Sequence, residues 1–350
     1  MKMTAVMALE PGMVLAEDVL TYKNELLFPA NTTLDEISIA KLSRHSIMCV
    51  EIKEPEDFAT THFEKVRLSQ GFKHFEKTYN IYMPRYKKQI DGLIKDHTHI
   101  DLGILFQIYA EITACAKNGE ALLDYLYNML PSEDDMTYAH CLNSALIAGV
   151  FGTWLGLPQQ DIFLLIQCAF LYDIGKLVLP QEIIWKPSKL TDMEYEMVKT
   201  HTIKGFNLLK DEALDENILK ATLMHHERCD GTGYPSKLKE PQINKFAKYI
   251  SIIDAYEAMT SARVYRQSLI PFQVIENFEK TDRFYDTLCL KQILSHIASS
   301  QLGLTVRLSD DSLAEVILIN SLRLSRPLVK RDTELIDLSK VTDLNIVGVL

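Results

Sequence analysis

The order of apolar and polar positions changes character three times along the chain. Up to residue 55, short apolar runs alternate with turn residues, as in VMALEPGMVLAEDV and NELLFPANTTL, followed by a helix-like DEISIAKLSRHS and a strand-like IMCVEI. This pattern predicts a small α+β module over residues 1–55. From Phe58 to Leu130, apolar residues recur at spacings of three and four in FEKTYNIYMPRYKKQIDGLIKDH and ILFQIYAEITACAKNGEALLDYLYNML, which predicts a helical connector over 56–130 that could serve as a stalk for a second copy or a signalling partner. Helical patterns joined by short loops then fill 131–301, and Thr191 with Glu194 three residues later predicts a capping box within them. Beyond Ser312 the period shortens: AEVILI, PLVK, ELIDL and LNIVGVL predict short strands in a β-rich appendage over 302–350. The expected fold is mainly α.

A chain of 350 residues has room for two or three domains with sizeable cores. Its 37 Lys and Arg against 47 Asp and Glu give a net charge of −10, so the molecule as a whole repels polyanions and a nucleic-acid polymer is not an expected partner. A phosphate ligand has to be met by a local cluster of cations. The six cysteines form no CxxC pair, which reads as free thiols in a reducing compartment. The most apolar stretch, Leu142 to Leu171, is broken by Asn143, Pro158, Gln159, Gln160 and Asp161, so no membrane span is expected and the cytoplasm is the expected location.

Chemistry concentrates in the central helical region. His45, His62, His74, His97, His99 and His296 sit in charged or polar surroundings and read as surface or packed histidines. His140, His201, His225 and His226 instead lie on predicted helices of a region that also offers Asp173 and Asp254, the latter inside the apolar run YISIIDAYEAM. A carboxylate buried without a partner is costly, and imidazoles with carboxylates from several helices are what a divalent transition ion needs. The adjacent pair His225 and His226 points in directions about 100° apart on a helix, so the two rings cannot both fill one apolar pocket.

Past this pair comes HHERCDGTGYP, a tight loop through Gly231, Gly233 and Pro235 that Asp230 can brace. Together with LYDIGK at 171–176, THTIKG at His201, IIDAYEAMTS around Asp254 and RVYR at Arg263–Arg266, this ordered series resembles the HD-GYP group of the HD metal-dependent phosphohydrolases, which cleave cyclic di-GMP. The resemblance covers about half the chain and implies an HD-type helical bundle. It also implies two divalent ions drawn from Fe, Mn, Ni or Zn: one held by His140, position 172, Asp173 and Asp254, the other by Asp173, His201 and His225 with His226 close by. Lys176, Arg263 and Arg266 would contact substrate phosphate, Tyr234 would shape the pocket for guanine and phosphate, and Asp173 and Lys176 would carry the catalytic step. The first module resembles the segment that often precedes such domains in bacterial regulators, as a sensory or dimer-forming appendage.

Two positions depart from the family pattern. Tyr172 stands where the HD signature has its histidine, which implies a weakened first metal site and a tyrosine packed beside it. Met136 stands where trinuclear members carry a glutamate, which implies a binuclear or mononuclear centre. Three functions follow: hydrolysis of cyclic di-GMP to the linear dinucleotide and onward to GMP; a catalytically weak receptor or scaffold for the nucleotide or a signalling partner; and the same hydrolysis on another cyclic dinucleotide.

Overall fold

In the computed structural model, residues 1–54, 58–130, 132, 135–186, 188–261 and 268–350 are described. The chain forms two compact units, Met1–Gln70 and Gly71–Leu350.

In the first unit, β1 (Lys2–Ala5), β2 (Val19–Leu20), β3 (Leu26–Phe28), α1 (Glu36–Arg44), β4 (Cys49–Ile52) and α2 (His62–Leu68) follow in order. Strand β1 pairs antiparallel with β4, and β2 with β3. The apolar runs meet in a small core around Leu15, Leu34, Leu42 and Val50. Asp35 caps α1 by accepting from Ser38 N, and Thr61 with Glu64 closes a reciprocal capping box on α2.

The larger unit is built on helices α3 (Gln70–Asp91, from Gly71 onward in this unit), α4 (Leu102–Thr113), α5 (Gly119–Asn128), α6 (Met136–Trp154) and α7 (Gln159–Leu171). They are followed by a 3-10 turn at Ile174–Val178, then α8 (Gln181–Ile184), α9 (Asp192–Lys199), α10 (His201–Leu209), α11 (Glu216–Met224), α12 (Lys245–Thr260), α13 (Pro271–Lys280) and α14 (Thr287–Ser299). Every residue of α6 from Thr137 to Gly152 is buried, as expected of a helix with small and apolar side chains on all faces. The helix α3 is no free stalk. Phe72, Phe75, Tyr79, Met83, Tyr86 and Ile90 are buried, the Tyr79 hydroxyl donates to Asn143 Oδ1 on α6 (2.8 Å), and the Tyr86 hydroxyl donates to the Phe170 carbonyl on α7 (2.6 Å).

The tail forms a five-stranded antiparallel sheet from β5 (Thr305–Leu308), β6 (Leu313–Leu318), β7 (Leu328–Arg331), β8 (Glu334–Asp337) and β9 (Ile346–Val349), in the order β8-β7-β6-β5-β9. Burial alternates along β5, with Val306 and Leu308 inward, as the period of two requires. No helix among the described residues is long and apolar enough to cross a membrane.

Candidate metal centre

Local features of the helices and turns bring the candidate residues together. His140 lies one turn inside buried α6, Tyr172 caps the end of α7, and Asp173 precedes the 3-10 turn. His201 opens α10, and Asp254 and Glu257 lie one turn apart on α12, whereas His225 caps the end of α11 and His226 lies past it, so the pair is not on the helix the sequence pattern predicts. The stretch TDMEYEMVKTHTIKGFNLL, a single helical pattern in the sequence, breaks at Thr200 into α9 and α10. At the break the Val198 carbonyl accepts from His201 Nδ1 at 2.6 Å.

Glycines set the close approaches. A β-carbon on Gly175 of DIGK would stand 2.0 Å from the His201 carbonyl oxygen and 2.6 Å from Gly205 N, so only glycine lets the 3-10 turn lie against α10. A β-carbon on Gly233 of GYP would stand 2.3 Å from Arg228 N. The loop around Gly233 is braced by Glu227, which accepts from Ser236 N (2.6 Å) and Leu238 N (2.8 Å), and by Asp230, which accepts from Thr232 N and its hydroxyl.

Two donor groups result. His140, Asp173 and Asp254 form one and His201, His225 and His226 the other; within each, ligand atoms lie within 4.8 Å of one another. Asp173 faces both. Its Oδ2 is 3.4 Å from His140 Nε2, and its Oδ1 is 3.3 Å from His201 Nε2 and 3.9 Å from His225 Nε2. Lys176 Nζ is 2.6 Å from Asp173 Oδ2, yet neither oxygen of this fully buried carboxylate receives a well-directed hydrogen bond from the described residues.

The chemistry of these donors fits a cation. His201 and His225 each use Nδ1 toward a backbone carbonyl, Val198 and Thr222, so Nδ1 carries the hydrogen and Nε2 a bare lone pair. Those two Nε2 atoms face each other at 3.1 Å. Two lone pairs at that distance repel unless a positive ion shares them. Burial pushes the His201 imidazole down to about 3, with the Lys176 charge adding to it, and His225 down to about 4, so both are neutral donors near pH 7. Burial also holds His226 well below the usual range.

The His140 group behaves differently. Burial opposes its charged form, but the Glu257 charge and the hydrogen bonds of Asp254 and Glu257 outweigh it and push the imidazole up to about 9. Nδ1 donates to Glu257 Oε2 at 2.5 Å, and Nε2 is 3.0 Å from Asp254 Oδ1. Asp254 is held well below the carboxylate range: burial raises it, but the His140 hydrogen bond and the charges of His140 and Lys176 overcome that. Glu257 is itself fixed by Asn143 Nδ2 (3.0 Å) and the Ser261 hydroxyl.

Tyr172 does more than pack beside this group. Its hydroxyl lies 2.6 Å from His140 Nε2, 3.3 Å from Asp254 Oδ1 and 3.1 Å from Ser144 Oγ. Burial, with the charges of Asp254 and Asp173, pushes the phenol up from its ordinary value, so it stays a neutral donor. Tyr234 stacks on His226, with ring centroids 4.7 Å apart. Met136 lines the cavity that opens onto His140, Asp173 and Lys176. Arg263 and Arg266 lie outside the described residues.

A family model described as "HD domain" matches residues 124–287, the stretch that carries both donor groups. That stretch of the chain carries an HD domain. It is related to the HD-GYP cyclic di-GMP phosphodiesterases. A relative from Pseudomonas aeruginosa, named cyclic di-GMP phosphodiesterase PA4108, is 30% identical over 66% of this chain and 56% of its own length. Another from Borreliella burgdorferi, named cyclic di-GMP phosphodiesterase PdeB, is 30% identical over 59% of this chain and 54% of its own. The chain thus spans about half the length of the curated relatives it matches. Among solved structures, Bd1817, a HDG"Y"P protein from Bdellovibrio bacteriovorus, aligns over 85% of this chain and 99% of its own with a TM-score of 0.50 and 13% identity, a likeness of fold. The architecture is the mainly helical HD-GYP-like one with small N-terminal β elements and a C-terminal five-stranded sheet.

Sequence reasoning missed Glu257, Asn143, Ser144 and Trp185 as members of the site. Two signals were present: Glu257 follows Asp254, and Asn143 follows His140, by three residues on a helix, which places each pair on one face. Nothing in the spacing pointed to Ser144 or Trp185.

Proposed function

We propose that this chain is a metal-dependent phosphodiesterase that opens cyclic di-GMP to the linear dinucleotide and cuts it further to GMP. The observation that carries the reading is Asp173, a fully buried carboxylate neither of whose oxygens receives a well-directed hydrogen bond, facing the Nε2 atoms of His140, His201 and His225 at 3.3 to 3.9 Å. In this reading His201, His225 and His226 would hold one divalent ion and His140 and Asp254 a second, with Asp173 next to both groups. When bound, such ions supply Lewis acidity, which lowers the pKa of water and offsets charge on phosphoryl oxygens.

The chain's own side chains set the geometry. Glu257 keeps the hydrogen of His140 on Nδ1 and turns the ring, as carboxylates behind metal-bound histidines do. Lys176, beside Asp173 at the cavity wall, presents a fixed positive charge to a non-bridging phosphate oxygen. Tyr234, stacked on His226, would shape the pocket for guanine and phosphate. Each cut consumes one water and breaks one phosphorus–oxygen ester bond.

A second reading, a nucleotide receptor with little turnover, is favoured by Tyr172, whose hydroxyl engages the donor atoms of His140 and Asp254. Purified chain loaded separately with Mn(II), Fe(II) or Ni(II) is mixed with cyclic di-GMP or the mixed cyclic GMP–AMP, and linear product and bound metal are both quantified. Turnover that follows metal content supports the enzyme. Tight binding of nucleotide with no product under any ion makes the chain a receptor, and preference for the mixed dinucleotide changes the substrate.

A further inference from the structure

The buried stripe of α3 carries two tyrosine hydroxyls, those of Tyr79 and Tyr86, into the bundle, and a hydroxyl taken out of water needs a partner. Tyr86 ends on a backbone carbonyl, whereas Tyr79 ends on a side chain. The Tyr79 ring is held beside Phe75, with centroids 5.9 Å apart, and its hydroxyl donates to Asn143 Oδ1 at 2.8 Å. An amide has a carbonyl at one end and an NH2 at the other, so a donor on Oδ1 leaves Nδ2 for whatever lies beyond. Glu257 lies there. Asn143 Nδ2 donates to Glu257 Oε1 at 3.0 Å, and Glu257 Oε2 accepts from His140 Nδ1 at 2.5 Å. Tyr79, Asn143, Glu257 and His140 are each exposed by 9% or less, so every bond in the series is fixed by the next and not by solvent. The series starts on α3, the helix that begins at the boundary between the two units, and ends on the ring whose Nε2 faces Asp173 and Asp254.

We propose that Tyr79 is a positioning residue of the His140 donor group: acting through Asn143 and Glu257, it fixes the His140 ring and makes the first helix of the larger unit a part of the candidate metal centre. This rests on the metal reading given above. Without the Tyr79 hydroxyl, Asn143 Oδ1 is a buried acceptor with its donor gone, and a rotation that relieves it takes Nδ2 off Glu257. The carboxylate behind a metal-bound histidine sets the ring's orientation and basicity, so a loosened Glu257 holds His140 less well for an ion in front of it. Tyr86 supplies the contrast, with the same hydroxyl on the same helix and a bond that stops at the Phe170 carbonyl.

The test uses the full chain, with Mn(II) as the probe, and compares Tyr79→Phe with Tyr86→Phe. Each removes one buried hydroxyl, and both should lower Tm. In calorimetric titration, Tyr79→Phe should weaken the ion of the His140 group about fivefold, the worth of one net hydrogen bond, and leave the ion of the His201, His225 and His226 group unchanged. Tyr86→Phe should weaken neither. Asn143→Ala should weaken the His140 group at least as much, and adding Tyr79→Phe to it should cost nothing further, because the two residues act in one series. Additive losses, or equal effects of the two tyrosine variants as a merely structural role would give, overturn the inference and leave the proposed function standing. A second readout needs no metal. In the chelated chain, the proton on His140 Nδ1 gives a far-downfield NMR resonance that His140→Gln removes; Tyr79→Phe should shift it and Tyr86→Phe should not. A parent chain that binds no metal overturns the metal reading, and an unshifted resonance overturns the role of Tyr79 whether metal binds or not.

Discussion

Replacing Tyr172 by histidine exchanges a phenol for the imidazole that the related motif carries, and the structure sets opposite signs for its effects with and without metal. Tyr172 is fully buried, its ring meets His225 edge-on at 4.9 Å, and its hydroxyl bridges His140 and Ser144. Losing that packing and those bonds should cost the chelated protein about 1–3 kcal/mol, a drop in Tm of several degrees. With metal the sign reverses. Disturbing even a residue behind a metal ligand commonly costs about 10–100-fold in affinity, so supplying a missing imidazole beside His140, Asp173 and Asp254 should tighten that site by at least about that factor, or roughly 1.4–2.7 kcal/mol. The assay is a pair of melting curves, in EDTA and in Mn(II), with metal per chain from mass spectrometry. Tyr172→His should melt below the parent in EDTA and show the larger rise with Mn(II), carrying about one additional ion. Tyr172→Phe separates the two roles of the phenol, because it removes the hydroxyl from His140 without adding a ligand. If a folded Tyr172→His gains neither metal nor hydrolytic rate, the missing imidazole does not limit this protein and the reasoning fails.

Glu257→Gln should weaken metal binding by the His140 group about 10–100-fold while the His201, His225 and His226 group keeps its ion, because the side chain behind His140 sets its ring and basicity; stoichiometric titration reads the difference. Gly175→Ala should lower stability by about 3 kcal/mol or more and reduce bound metal with it, since the added methyl must drive α10 and His201 away; calorimetry and metal analysis on the same sample test the coupling. Tyr86→Phe should cost about 1–2 kcal/mol by leaving the Phe170 carbonyl without its 2.6 Å donor, with metal content unchanged. Glu194, held down to about 2 by Lys186 and the Thr191 backbone and hydroxyl, contributes stability that is present above its unfolded pKa near 4.5 and is lost as the pH falls toward 2. Lys186→Met should move its carboxyl titration upward, as carbon-detected NMR would record.

The residues of the two donor groups were legible in the sequence because each sits in a local motif. His140, Asp173, His201, the His225 and His226 pair, and Asp254 could all be named before any distance was known. Loop chemistry was legible for the same reason: the Thr191 and Glu194 box and the Asp230 brace are contacts between residues two or three apart. What stayed hidden depends on contacts across long separations. The role of α3 was one case. Its charged face reads as a connector, and only the bonds from Tyr79 to Asn143 and Tyr86 to Phe170, 64 and 84 residues away, bind it to the bundle. Strand β5 was another: its four residues TVRL, only half of them inward, are too few for a convincing alternation. Tyr172 was visible as a departure, but the direction of its hydroxyl onto His140 could come only from coordinates.

The charges inside the site bear on how much the fold would depend on a bound cation. Asp173, Asp254 and Glu257 are three acidic groups within one buried network, and Lys176 is the fixed cation paired there with Asp173. His140 offsets part of the remainder as an imidazolium, held near 9 by the acids around it. The opposite side of Asp173 has no such device, because His201 and His225 are pressed toward neutrality by burial and point bare Nε2 atoms at one another and at Asp173. Buried carboxylate without compensating charge is among the costlier arrangements a fold can keep. Such an arrangement is understandable where the fold is completed by a positive ion, so the His201, His225 and His226 group is the one whose loss of metal should most loosen the bundle, and the His140 group the one that can stand without it.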